Sequence, residues 1–309
     1  LRLVPDHPQA RLLLAERALA AGDLAGARNH ARQLLATEPL EGRAFRVLAT
    51  AADRDGDAAS AMTLYRIAAR RSPRDVTTQA WLTERALLDG RFDDAIARID
   101  VMLRVAPAQR PMLLTLLTQL AVDQDFARAL GTALARHPPW RGSVLSALQS
   151  ADDPRGADQV LSALRSSGGL DDVEFDAWIA ALMRRGDWGQ AYARWIGTLE
   201  LAGGDLPLVY NGDFSQPLSG RGFDWATART PGVSLQVVDS TDGSGKVVHA
   251  RFRGRAVAKL NLQQPLLLAP GRYRFSARMR AESLRSEAGL VWTVQCRQGP
   301  GVVATSAPI

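Results

Sequence analysis

The chain has 309 residues, of which 46% are hydrophobic and 23% charged, and a formal net charge of +6; this suits a globular protein with room for two domains. No apolar run approaches the ~18 residues of a membrane span, and no Gly-rich phosphate loop or metal-spaced His motif such as H-E-x-x-H is present. The excess charge lies in residues 205–309, with 13 Arg+Lys against 7 Asp+Glu, whereas residues 1–204 carry 25 of each. The first part is therefore not built as a nucleic-acid platform.

Nearly all basic residues are Arg, with only Lys246 and Lys259 as exceptions. This reads as the codon usage of a GC-rich bacterial genome. Cys296 is the single cysteine, so no disulfide framework exists within the chain. The first residue is Leu1, and Leu1–Pro5 reads as the tail of an earlier unit, so a fragment of a longer protein is expected.

In chain order, the first predicted elements are helical and periodic. Pro5, Pro39, Pro73 and Pro107 are spaced by 34 residues, as are Gly22, Gly56 and Gly90, and Ala27, Ala61 and Ala95. Each Gly falls where a first helix should end, because glycine tolerates φ > 0 at a helix C-terminus. The Ala five residues later lets two helices pack closely, and the Pro ends the second helix. A fourth unit is expected at "DQDFARA", with Gln124 in place of the Gly and Ala129 at the small position. The final two units are expected around Asp152 and Ala157, then Gly186 and Ala191.

These features resemble the tetratricopeptide repeat over roughly residues 1–203. The resemblance implies an α-solenoid whose concave face, lined by first helices, binds a protein or peptide. Arg43, Arg46 and Arg54 would fall near that face, either as partner contacts or as an ordinary solvated surface. The region has no Lys and only one Asn, Asn29, so a Lys/Asn carboxylate clamp of the kind found in some family members is not expected. Trp188, Tyr192 and Trp195 share a helix face, either as a ligand surface or as core where the solenoid end meets the next domain.

Gly203, Gly204 and Pro207 punctuate the change to period-two segments. Alternation predicts strands in "VSLQVV", "KVVHARFRGR", "AKLNLQQPLLL", "GRYRFSARMR" and "GLVWTVQC", with weaker ones at Leu208–Tyr210 and Val302–Thr305. Asn211-Gly212 is expected to turn the chain and Phe214 to anchor that turn. "NGDFSQPLSGRGFDW", "LNLQQPLLLAPGRYRFSARMRA" and "GLVWTVQC" resemble the galactose-binding-like jelly rolls of carbohydrate-binding modules. That resemblance implies an all-β jelly-roll sandwich over 205–309. The fold expected is thus multidomain: an all-α tetratricopeptide-like solenoid in 1–204, then a jelly roll truncated before its closing strand.

Candidate ligand residues follow from chemistry. His249, Arg251, Arg253 and Arg255 share one side of a predicted strand. Arg272, Arg274, Arg278 and Arg280 share the side opposite Tyr273 and Phe275 on another. In one sheet they would form a basic patch for uronic-acid polysaccharide, phosphate or an acidic protein; the alternative is a solvated sheet face. Trp225 is a candidate sugar-stacking ring or a core plug. Trp292 shares parity with Leu290 and Val294 and reads as core. Asp213 and Asp224 could serve calcium, but Ser215 stands where related modules often have Glu, and no metal is assigned. No catalytic constellation or cofactor motif is found. The reading is a non-catalytic scaffold, with a protein partner in the solenoid groove and carbohydrate on the sandwich, in exopolysaccharide or cell-envelope biogenesis. Alternatives are a structural adaptor without sugar binding, or an accessory region of a larger envelope enzyme. A periplasmic or cell-envelope setting is expected on the same analogy.

Overall fold

The computed structural model describes residues 7–199, 207–254, 257, 259–284, 289–297, 299 and 301–308. Among them, the chain opens with six helix pairs: α1 (Pro8–Ala20) and α2 (Leu24–Thr37), α3 (Gly42–Arg54) and α4 (Ala58–Arg71), α5 (Val76–Leu88) and α6 (Phe92–Val105), α7 (Arg110–Leu120) and α8 (Gln124–Leu134), α9 (Arg141–Ser150) and α10 (Pro154–Ser166), α11 (Asp172–Arg185) and α12 (Trp188–Ile196). Their starts are chemically marked. Asp23, Asp57, Asp75, Asp123 and Asp153 each accept a backbone N–H in the first turn that follows. Asp171 and Glu174 close a reciprocal capping box on α11. Such caps contribute about 1 kcal/mol each.

Their ends are equally regular. Gly22, Gly56 and Gly90 take φ of 81°, 82° and 68°, and each leads a Schellman closure. In the first, Gly22 N–H bonds the Leu19 carbonyl and Asp23 N–H the Ala18 carbonyl. Before Pro39, Pro73 and Pro107, the cap residues Glu38, Ser72 and Ala106 share one backbone conformation, with φ near –125° to –130°. Proline bars its predecessor from the helical region. The sequence period is thus a period of geometry.

The small positions are the contact points. Ala27, Ala61, Ala95, Ala127, Ala157 and Ala191 are all buried to 1% exposure or less. Each lies four residues after the residue that caps its second helix, and its methyl group is turned into the packed interior. Ala127, not Ala129, holds this place in the fourth unit, and Ala129 is only half-buried. The reason is length: a 3-10 turn at Pro107–Gln109 precedes an α7 of 11 residues, against 13 in α1, α3 and α5. The cap Asp123 therefore arrives two residues early.

The packing mode also changes there. In the first three units each helix packs mainly on its own partner, whereas α8 packs chiefly on α6 and α10. Glycine allows the approach: a Cβ on Gly131 of α8 would lie 3.0 Å from Ala163 Cβ of α10, and one on Gly156 3.1 Å from Ala121 Cβ. One continuous core runs from Ile96 and Ile99 through Phe126, Leu130, Val160 and Trp178 to Trp195 and Phe223.

Contacts divide the chain into two compact units, Leu1–Pro265 and Leu266–Ile309. In the first, β2 (Val233–Asp239) and β3 (Lys246–Phe252) form an antiparallel hairpin in which Leu235 faces Ala250 and Ser234 faces Arg251. A short pair joins β1 (Ala226–Thr227) to β4 (Leu262–Gln263). In the second unit, β5 (Thr293–Gln295) pairs with β6 (Val302–Thr305), with a register shift at Val294/Gln295.

In place of the antiparallel sandwich expected from alternation, and of the jelly roll that the resemblance implies, the described residues form three two-stranded sheets. Leu208–Tyr210 is a bend and turn. "AKLNLQQPLLL" yields only β4, "GLVWTVQC" only β5, and residues 272–280 form no strand. Tyr273, Phe275 and Met279 are 50%, 44% and 44% exposed. Alternation supplies a two-faced segment, but a strand exists only where a neighbour completes its ladder.

Candidate functional site

The first helices of units one to three are linked by side chains at near-repeat spacing. Arg46 of α3 donates to Glu16 of α1, and its Nε lies 3.1 Å from Asp75 Oδ2 at the start of α5. Arg54 donates to the Leu19 carbonyl at 2.6 Å. Trp81 Nε1 donates to Asp53 at 3.1 Å, while its ring stacks on Tyr65 at 4.1 Å and lies under Arg85. Arg43 donates through Nε and Nη2 to Glu41, at 3.1 and 3.3 Å. That bond holds the Glu41 carboxyl below its ordinary pKa and raises that of Arg43.

Arg43, Arg46 and Arg54 thus share one helix and each has its charge or donors engaged within the chain. The carboxylates that meet Arg43 and Arg46, namely Glu41, Glu16 and Asp75, were not singled out from sequence. The available signal was opposite chemistry on first helices about one repeat apart. Apolar side chains on the first helices of the third and fourth units remain open to solvent: Leu88 of α5 and Met112 of α7 are 69% and 61% exposed.

The last helix ends against the loop that follows. Phe223, 2% exposed, meets the rings of Trp188, Tyr192 and Trp195 at 6.4, 4.9 and 5.5 Å. Tyr210 adds an edge-to-face contact with Trp195 at 5.0 Å. Gln264 Nε2 bridges the Tyr210 and Phe223 carbonyls at 2.8 and 2.9 Å. Arg221 reaches Asp176 at 2.8 Å and Asp172 at 3.4 Å on α11. Burial raises the Asp176 carboxyl against the opposing pull of Arg221. The three aromatics of α12 are therefore core at the end of the helical region.

The opening turn is built on Asn211, whose φ is 50°. Its side chain accepts from Gln216 N–H and donates to the Gln216 carbonyl, both at 3.0 Å. Phe214 packs at 5.5 Å on Trp225. Trp225 is 6% exposed, and its Nε1 donates to the Asn211 carbonyl at 3.1 Å. Asp224 is buried and accepts from Ser219 N–H, Ser219 hydroxyl and Trp225 N–H at 2.8, 2.6 and 2.7 Å. Exposed Asp213 accepts from Ser215 N–H at 3.2 Å, which lowers its pKa. Among the described residues no cluster of His, Cys, Asp and Glu is placed to hold a metal ion, and no helix is long and apolar enough to cross a membrane.

His249 and Arg251 lie on the exposed side of β3, and exposed Arg253 follows it, while Val248, Ala250 and Phe252 turn inward. Arg255 lies outside the described residues, as do Gly203 and Gly204. Arg274, Arg278 and Arg280 are exposed in the second unit, outside any strand, with Arg280 paired to Glu282 at 2.6 Å. Among the described residues no sheet contains both β3 and any of these arginines.

No protein-family model matches the chain, and no curated protein does. Three solved structures are similar in part. An O-GlcNAc transferase mutant from Thermobaculum terrenum shares 20% identity, covering 52% of this chain and 26% of that one, with a TM-score of 0.30. The P58(IPK) TPR domain shares 18%, covering 62% and 60%, with a TM-score of 0.30. The APC/C hetero-tetramer Cut9-Hcn1 shares 16%, covering 66% and 42%, with a TM-score of 0.32. The chain spans between about a quarter and three-fifths of these structures. Its own period, caps and buried alanines make the helical region a tetratricopeptide-like α-solenoid.

Proposed function

We propose that this chain is a non-catalytic scaffold whose first-helix face holds a protein partner, and whose region 205–309 is a structural adaptor attached to the end of the array. One observation carries the reading. The helix pairs bury their own apolar stripes, yet Leu88 and Met112 on first helices stay exposed. Single exposed apolar residues are common; on a repeating face they serve as anchors for an apolar partner segment. Arg46 and Arg54 act here as the polar frame that ties α3 to α1 and to the start of α5, while exposed Arg43 and Arg54 keep edges available to the partner.

The burial of Trp225 favours the adaptor over sugar stacking at that ring. A second reading, carbohydrate binding, rests on the outward His249, Arg251 and Arg253, a face suited to an anionic glycan. A role in exopolysaccharide or envelope assembly, with a periplasmic setting, rests on the jelly-roll resemblance alone, whereas 205–309 as a separate domain rests also on the change to period-two segments after Pro207.

Capture from a bacterial lysate tests the scaffold by comparison. Leu88→Asp with Met112→Asp should lose the captured partner, whereas Ala59→Asp on the exposed side of α4 should keep it. Equal capture by both variants would contradict the reading. Binding of an acidic glycan that is lost in Arg251→Glu with Arg253→Glu would replace the adaptor with the carbohydrate reading.

A further inference from the structure

A different surface of the helical region concentrates unmatched positive charge. Arg66 and Arg70 stand one turn apart on α4, Arg71 closes that helix, and Arg74 follows in the turn to α5. All four are exposed. None of the four takes part in an ion pair, and the polar contact among them is Arg70 Nε to the Arg66 carbonyl at 3.4 Å. By contrast, Arg28, Arg43, Arg46, Arg91, Arg104 and Arg128 each meet a carboxylate.

Arg98 of α6 joins the group through two hydrogen bonds. Its Nη1 donates to Gln79 Oε1 at 3.1 Å, and Gln79 Nε2 donates to the Pro73 carbonyl at 2.8 Å. This ties Arg98 to the turn that carries Arg74. Burial first, and the charges of Arg91 and Arg66 after it, hold the Arg98 guanidinium below its ordinary value, while Asp94 pulls the other way. Asp94 is itself paired to Arg91 at 2.6 Å. One cation in a last turn is explained by the helix dipole, but like charges four apart repel. A dipole contact does not account for five guanidinium groups around one turn.

We propose that Arg66, Arg70, Arg71, Arg74 and Arg98 form a docking surface for an acidic segment of a protein partner. Guanidinium forks bind carboxylates in pairs. The helical part from Arg66 to Arg71 rises about 7 Å, which matches roughly two residues of an extended peptide, and the turn to Arg74 lengthens the surface beyond it. The zero net charge of residues 1–204 gives no long-range field to gather a polyanion such as nucleic acid. This surface belongs to a second helix and its turn, and goes beyond the first-helix face proposed above.

The test uses the whole chain and a fluorescently labelled 12-residue Asp/Glu-rich peptide, followed by anisotropy at low and at moderate salt. Wild type should bind, with affinity falling as salt rises. Arg66→Glu with Arg70→Glu and Arg74→Glu should weaken binding at least tenfold while far-UV circular dichroism stays unchanged. Leu88→Asp with Met112→Asp should bind the peptide as wild type does, which separates this surface from the first-helix face. Failure of wild type to bind, equal binding by the triple variant, or stronger binding to single-stranded DNA or phosphatidylserine vesicles than to the peptide would overturn the proposal.

Discussion

The indole of Trp195 lies directly on the backbone of Gly222: a Cβ at that glycine would sit 2.1 Å from Trp195 Cδ1. Gly222 also has φ of 54°, so two independent constraints demand glycine there. The last helix and the following loop meet through this contact, with Phe223 beside it.

Gly222→Ala should therefore lower stability by about 2–3 kcal/mol, from overpacking together with left-handed strain. Chemical denaturation followed by tryptophan fluorescence measures it. A change within about 0.5 kcal/mol, the range of ordinary surface substitutions, would mean that the loop does not pack on α12.

Arg141 makes a comparable link farther back. Its guanidinium bonds Glu174 of α11, the Leu134 carbonyl ending α8 and the Gly169 carbonyl, with a side chain only 7% exposed. The bond to Glu174 raises the Arg141 pKa. Arg141→Ala should cost about 3 kcal/mol, because it strands a carboxylate and two carbonyls. Arg141→Lys should recover only part of this, since an ammonium cannot span three acceptors as a fork does. Urea titrations of both variants check the order.

The buried alanines predict a position-specific response. Ala61→Leu inserts three carbons where exposure is 0% and should destabilise by about 1–3 kcal/mol. Ala59→Leu, two residues away and exposed, should stay within about 0.5 kcal/mol. Thermal melts of the two proteins side by side decide the matter.

Acid should loosen the helix starts. Hydrogen bonds from Arg43, Ser60 and Arg155 hold the carboxyls of Glu41, Asp57 and Asp153 below their ordinary values. Folded pKa values below the unfolded ones give stability that is complete above the ordinary carboxylate range. That stability is lost as pH falls through the depressed values. The melting temperature should fall below about pH 4. Glu41→Gln should melt lower than wild type at pH 7, with the gap closing at pH 2.

Much of the helical region was legible because each rule is local. A glycine at φ > 0, a pre-proline cap and a small residue at the crossing all report within one turn of their own position. The fourth unit departs from its expected register by two residues, because Ala129 and Ala127 are both small and both near a plausible cap. Only packing distinguishes the one that touches its neighbour. The α6–α8–α10 stacking was not legible, since Gly131 and Ala163 carry no pattern that names each other.

The β segments show the opposite case. Lys246–Phe252 alternates and finds a complete partner in Val233–Asp239. Tyr273, Phe275, Ala277 and Met279 alternate as well, without a partner strand among the described residues. Asn211-Gly212 did mark a turn, but a left-handed Asn whose side chain closes on Gln216 builds it, rather than a hairpin between strands. Trp225, offered by the sequence as a sugar-stacking ring or a core plug, is buried, and parity places His249 and Arg251 outward on β3 but does not make residues 272–280 a strand.

The scaffold account is tested most directly by hydrogen–deuterium exchange on the captured complex against the free chain. It predicts that slowed exchange concentrates in the first helices α3, α5 and α7, around Leu88 and Met112. Protection confined to the second helices, or to residues 207–265, with α3, α5 and α7 unchanged, would contradict it.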